Sequence, residues 1–312
     1  MRHPTPWLAG LLLAFSLAAG AAQPAPMAVP GTSVTMAPPA GFALATGFAG
    51  FSAADSPSSI LLAEMPPQAY AQLAPLFADA QAGRSTFATK GIAVERRTTI
   101  ATAAGTVPVL VGSQAAHGQN FRKWMALFRG DKVVLATVQA PADGGPAEAE
   151  VLRSLASVRL GPAASPQQAL DALPFKIEAA APFRVLNTMT GAGVTLTAGA
   201  KDVDPEGRQP LIVVASSLSA PASATEPATL ARSLLVQTHG LEQASNPRQE
   251  SVDFAGTRGV VLRGSTPQGR HFVQYLSLWP GQRYIRLVAL LPDGDPAVQA
   301  AVDTIAASVA WR

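Results

Sequence analysis

Cysteine is absent from the 312-residue sequence. That excludes disulfides, thiolate metal sites, cysteine nucleophiles and a lipid-modified N-terminal cysteine. Stability must therefore come from core burial. Aromatic residues are scarce at 6% and charged residues at 14%, while apolar residues reach 48%, with alanine carrying much of that fraction. This composition suits a globular protein with small side chains at many helix positions, not a disordered chain. Charge of one sign is missing too. The 23 Lys and Arg face 20 Asp and Glu, and nucleic-acid binding needs a far larger basic excess or a basic stripe. No nucleic-acid partner is expected.

Catalytic signatures are also missing. No Gly-x-Ser-x-Gly elbow, phosphate loop, dinucleotide fingerprint or His-Glu-x-x-His occurs. Of the four histidines, His3 sits near the N-terminus, and His117, His239 and His271 form no ligand pattern with a neighbouring histidine or carboxylate. The run Asp202-Val203-Asp204-Pro205-Glu206-Gly207 opens like a calcium loop. Its twelfth position is Val213 instead of a bidentate glutamate, so it reads as an acidic turn. Asp293-Gly294-Asp295-Pro296 reads as a turn feeding a helix cap. Ser216, Ser217 and Ser219 cluster without a positioned base. No cofactor, metal or catalytic residue is expected.

What is present begins with a leader. Arg2 and the free amine precede an apolar run from Trp7 to Ala19, and Ala19-Gly20-Ala21 offers small residues where a signal peptidase cuts. Residues 1–22 are read as a cleaved signal peptide, giving a periplasmic or secreted protein. The run is too short to span a bilayer, and no later stretch spans without charge or proline, so no membrane span is expected after leader removal.

The chain then repeats itself at a spacing of 151. Ala104-Gly105-Thr106 recurs as Ala255-Gly256-Thr257, Phe121 as Phe272, Leu127 as Leu278, Pro141 as Pro292, and Ala156-Ser157-Val158 as Ala307-Ser308-Val309. A period of this length implies a duplicated domain, not a solenoid. Residues 33–160 and 170–312 are the expected copies. A Pro/Ala-rich linker at 23–32 precedes the first, and Gly161-Pro162-Ala163-Ala164-Ser165-Pro166 opens a second linker at 161–169.

Within copy one, short strand candidates (41–45, 48–53, 59–64) precede a helical segment from Pro67 to about Ala82, which Pro75 should split or kink. Four meander strands follow at 94–100, 107–111, 121–128 and 133–139, then an amphipathic helix carrying Val151, Leu152, Leu155 and Val158. Arg129-Gly130-Asp131-Lys132 and Pro280-Gly281-Gln282-Arg283 read as matching tight turns. In copy two, Pro227 and Pro296 stand as first helical residues, with Asp295 as a cap. The expected class is α+β: two tandem α/β/α sandwich domains, each with a central antiparallel meander sheet flanked by helices.

Met36-Ala37-Pro38-Pro39-Ala40-Gly41-Phe42 resembles the opening of domains similar to PsbP, the extrinsic photosystem subunit. The order of elements behind it is similar over most of 33–160 and more loosely over 173–312. The resemblance implies an α/β/α sandwich and a non-enzymatic accessory or assembly role; no ligands are carried over from it.

Trp124, Phe128, Tyr275 and Trp279 lie at matched places on the third meander strand, as core or as a ligand-stacking wall, with core favoured. Copy one carries Arg96 and Arg97 near the start of the first meander strand and Arg122 and Lys123 near the start of the third, where copy two has Pro247, Arg248, Val273 and Gln274 and keeps one charge. Two hairpin turns should bring these four charges to one end of the sheet as a partner-binding cluster, partly neutralised by Glu95. The expected function is an exported, non-enzymatic accessory or assembly protein binding a protein partner in the cell envelope. A hydrolase or a small-molecule-binding protein with an unrecognised site is the alternative.

Overall fold

The computed structural model describes residues 24–116, 118–189, 191–204, 206–217, 226–244, 246–279 and 283–312. The expected leader, His117, Ser219 and Pro280-Gly281-Gln282 lie outside the described residues. The first half contains β1 (Met27–Ala28), β2 (Val34–Met36), β3 (Phe42–Leu44), β4 (Gly50–Ala53), β5 (Ser59–Met65), α1 (Ala69–Ala78) and α2 (Ala80–Ala88). It continues through β6 (Ile92–Thr102), β7 (Gly105–Ala116), β8 (Gln119–Arg129), β9 (Val133–Pro141), α3 (Glu148–Ala156) and β10 (Arg159–Leu160). The second half runs α4 (Pro166–Asp171), β11 (Phe175–Lys176), β12 (Arg184–Met189), β13 (Gly193–Thr197), β14 (Leu211–Ser217) and α5 (Pro227–Val236). Then come β15 (Arg248–Phe254), β16 (Thr257–Ser265), β17 (His271–Trp279), β18 (Arg283–Leu291), α6 (Pro296–Ser308) and β19 (Ala310–Trp311).

These elements build two seven-stranded antiparallel sheets in a sheet-rich α+β chain. Their orders are β3-β4-β5-β9-β8-β7-β6 and β12-β13-β14-β18-β17-β16-β15, the same path walked twice. Each sheet joins a three-stranded meander to the expected four-stranded one, through β5–β9 and β14–β18. After the last helix of each half, one short strand returns to pair with an N-terminal strand: Leu160 faces Val34, and Trp311 faces Phe175.

Helices cover both faces of each sheet because the central strands are apolar on both. Along β8, Trp124, Ala126 and Phe128 pack with Val151 and Leu155 of α3. The alternate residues Met125 and Leu127 pack with Phe77 of α1 and Leu110. In the second half Tyr275 and Val273 meet Val302 and Ile305 of α6, while Phe272 and Leu276 meet Leu230 and Leu235 of α5. Alternation along a strand sends successive side chains to opposite faces, so such a strand needs a layer on each side. Each large side chain buried this way contributes about 1.5–3 kcal/mol.

Local chemistry fixes the helix ends. Pro75 lies inside α1, and the break comes later, at Asp79, whose extended backbone ends α1 and whose carboxylate accepts the Gln81 N–H at 2.8 Å to start α2. Asp295 caps α6 through Ala297 N–H, with Pro296 as its first residue. Beneath the end of α5 the half-buried Arg286 guanidinium donates to the Leu234 carbonyl, Thr238 Oγ1 and Gln274 Oε1. The negative end of the helix dipole faces this cation, and burial pushes its pKa down to about 10.

Both expected linkers carry structure. Met27–Ala28 pairs with β2 and Val29 is 2% exposed, so residues from 27 onward belong to the first core. Pro30 and Gly31 turn the chain between the two strands. In the second linker Ser165 and Gln168 form a reciprocal capping box that starts α4 at Pro166. The halves meet through small residues at matched places. A Cβ on Gly31 would lie 2.6 Å from the Ala172 Cβ, and one on Gly191 would lie 2.7 Å from the Ala49 nitrogen.

Gly31 has φ +72 in addition to that close approach. Gly31→Val is expected to lower unfolding free energy by about 1–3 kcal/mol in urea titrations of the chain without its leader. Gly161→Ala, where the nearest atom to an added Cβ is 3.6 Å away, should change it by less than about 0.5 kcal/mol.

Candidate functional site

The four cations of copy one do not form one cluster. Residues 96 and 97, like 122 and 123, are neighbours on a strand, so each pair splits between the two faces of the sheet. Arg96 and Arg122 fall on the α3 side, where both bind Glu148 in the first turn of that helix, Arg122 at 2.7 Å. Arg122 also lies 5.0 Å from the Trp124 ring centroid. Arg97, on the other side, donates Nε to the Phe77 carbonyl at 2.8 Å. Lys123 is buried there at 9% exposure, and burial pushes its pKa down. The neutralising carboxylate is thus Glu148, brought in from a helix, not Glu95. The four residues divide between the two faces instead of presenting one basic surface, and of them Lys123 is buried.

The aromatics divide in the same way. Trp124, Phe128 and Tyr275 are core residues, as expected. Trp279 departs from this at 36% exposure, its ring centroid 5.7 Å from that of Trp311. Arg283 lies over Trp311 at 4.8 Å. His239 is fully exposed beside Glu242 at 3.3 Å, a sequence-near pair that reads as surface chemistry. His271 packs against Gly294 at a strand start. Among the described residues no group of three metal-ligating side chains converges.

A groove that sequence reading missed lies at the end of the first sheet, where the β6–β7 and β8–β9 turns meet the start of α1 and β10. Its volume is about 680 Å³. Leu127, Phe128, Val107, Pro108 and Leu160 give it an apolar lining, and Tyr70 and Thr106 stand at its rim. No acidic side chain lines it. Arg129 and Arg159 do, the former 5.1 Å from the Tyr70 ring, and neither has a carboxylate partner among the described residues. At the spacing of 151 the second half replaces Phe128 and Leu160 with the larger Trp279 and Trp311. The stacked indoles and Arg283 occupy the matching place. One duplicated sheet end is therefore open and basic, and its counterpart is filled by aromatic rings.

Such a sheet-rich chain, with two seven-stranded antiparallel sheets of one order, is the class that the fold defines. No family model and no curated protein matches it. Among solved structures, the chain is similar to the apo structure of the immunity protein TplEi of T6SS from Pseudomonas aeruginosa. That match has 14% identity over 92% of this chain and 96% of that one, with a TM-score of 0.32. The same immunity protein complexed with "L" peptide matches at 11% identity over 88% and 99% of the two chains, with a TM-score of 0.31. Scores this low fall below those of chains that share a fold, so the role of those proteins does not transfer.

Glu148 tests the reassigned cations. The hydrogen bond from Arg96, with the charges of both arginines, holds its pKa below the usual carboxylate range. A depressed pKa means that the ion pairs stabilise the fold above that range and are lost as pH falls through it. Because the arginine side chains are 46% and 42% exposed, Glu148→Gln should cost only about 0.5–1 kcal/mol near neutral pH. In chemical denaturation across pH, the difference from the parent should shrink below about pH 4.

Proposed function

We propose that this chain is an exported, non-enzymatic accessory or assembly protein of the cell envelope, and that its protein partner lays an acidic segment in the groove of the first half. The observation that carries the reading is the pair Arg129 and Arg159, cations without carboxylate partners beside an apolar groove that no acidic side chain lines. Apolar contact with charge-assisted hydrogen bonds from arginine is the chemistry that holds a peptide carrying carboxylates. Export rests on the leader pattern ending at Ala19-Gly20-Ala21. The accessory role implied by the PsbP-like opening agrees with it. The hydrolase alternative needs a base beside a nucleophile, and among the described residues neither His239 nor His271 hydrogen-bonds a serine.

In-cell photo-crosslinking from Thr106, at the groove, and from Asp253, on β15 beside the matching turn of the second half, tests the proposal. A discrete protein adduct is expected from Thr106 and none from Asp253. It should disappear in Arg129→Glu/Arg159→Glu and survive in Arg96→Gln/Arg122→Gln. An adduct indifferent to charge at 129 and 159, or no adduct together with turnover of simple esters or peptides by the purified protein, overturns it.

A further inference from the structure

The two halves differ where β4 joins β5 and β13 joins β14. Residues 54–58 make the first connection and 198–210 the second, more than twice as long. Long connections without secondary structure are uncommon inside compact domains, and ordered ones usually serve a function. This one is tied down by its own side chains. Gln209 bridges the loop, its Oε1 accepting from Lys201 N–H at 2.9 Å and its Nε2 donating to the Lys201 carbonyl at 2.9 Å. Asp204 accepts the Gln209 N–H at 2.6 Å, and Thr197 accepts the Gly199 N–H at 3.1 Å while donating to the Pro210 carbonyl.

The loop covers part of the sheet that α5 leaves bare, since α5 packs on β16 and β17. Between loop and sheet lies a cavity of about 430 Å³. Its walls are mainly Leu186, Leu211, Leu290 and Pro292. Thr195 also lines it. That residue is 8% exposed.

The mouth carries charges of both signs, Lys201 and Arg270 beside Asp202 and Asp204. Asp202 is held by Arg184 at 2.7 Å, and Glu206 is paired with Arg208. Asp204 is occupied by the Gln209 amide. Among the described residues Lys201 and Arg270, which also line the cavity, have no carboxylate partner; the Arg270 guanidinium makes a long 3.4 Å contact to the Glu206 carbonyl. An apolar chamber with two such cations matches a ligand with an apolar body and a single anionic head.

We infer that the second half carries a binding site for an amphipathic carboxylate of the medium-chain fatty-acid class. The aliphatic chain lies against Leu186, Leu211 and Leu290, and the carboxylate sits between Arg270 and Lys201. This site stands apart from the groove of the first half and does not depend on it.

Decanoate is the probe, titrated into the leader-free chain by calorimetry and followed by amide shifts of Thr195 and Leu186. Saturable binding is expected, with the largest shifts at those residues. Arg270→Gln/Lys201→Gln should weaken it about tenfold or more, and Leu290→Trp should abolish it by filling the chamber. Circular dichroism checks that both variants fold. The alcohol of the same chain length should bind the parent and the Arg270→Gln/Lys201→Gln variant alike, and more weakly than decanoate binds the parent. Absence of saturable decanoate binding overturns the inference, as does binding that is equal for acid and alcohol and indifferent to Arg270 and Lys201.

Discussion

The central strands of both sheets are buried on both faces, and this constraint organises the rest of the molecule. On β8 every residue from Lys123 to Phe128 is buried, and on β17 every residue from Phe272 to Ser277. An antiparallel sheet that leaves one face in water tolerates polar side chains at alternate positions. Here that choice is closed, so each half must supply helices to both faces, and a polar group on those strands is costly unless the packing satisfies it. Lys123 and Gln274 occupy matched positions under that pressure. Lys123 lies buried with a depressed pKa, whereas Gln274 donates to the Ala231 carbonyl and accepts from Arg286. One fold has met the same buried position with a desolvated amine in one half and a hydrogen-bonded amide in the other.

The same divergence appears on the opposite face. Trp124 in the first core corresponds to Tyr275, whose hydroxyl donates to Asp303 at 2.7 Å and accepts from Arg263 at 2.9 Å. Asp303 stands where the first half has Leu152, at the spacing of 151. Conserving strand order while exchanging apolar for polar contacts keeps the framework and changes what lies at its ends. The first half ends in an open groove with unpartnered arginines. The second closes that place with indoles and grows a long loop elsewhere. Function is read from such differences, because what both halves share is what the core requires.

Much of the framework was legible in the sequence, and the reason is local. The spacing of 151, the four meander strands and the caps at Pro227 and Asp295-Pro296 depend on periodicity and turn chemistry that neighbouring residues express by themselves. The capping box at Ser165 and Gln168 was equally local and lay within a tract read as linker. Pro75 drew attention from Asp79, whose side chain sets the actual break between α1 and α2.

The sites were decided elsewhere. Proximity in sequence made Arg96, Arg97, Arg122 and Lys123 look like one patch, yet strand alternation separates them, and Glu148 arrives from α3 to bind two of them. The groove beside Arg129 and Arg159 joins residues from 70 to 160, and the cavity at Thr195 joins residues from 186 to 292. Neither has a sequence signature. The sequence by itself determined which segments form strands and helices and that the plan is repeated, because those follow from short-range pattern. Tertiary structure alone decided which cations are neutralised and where a cavity opens, because charge pairing and burial depend on what the fold brings across the sheet.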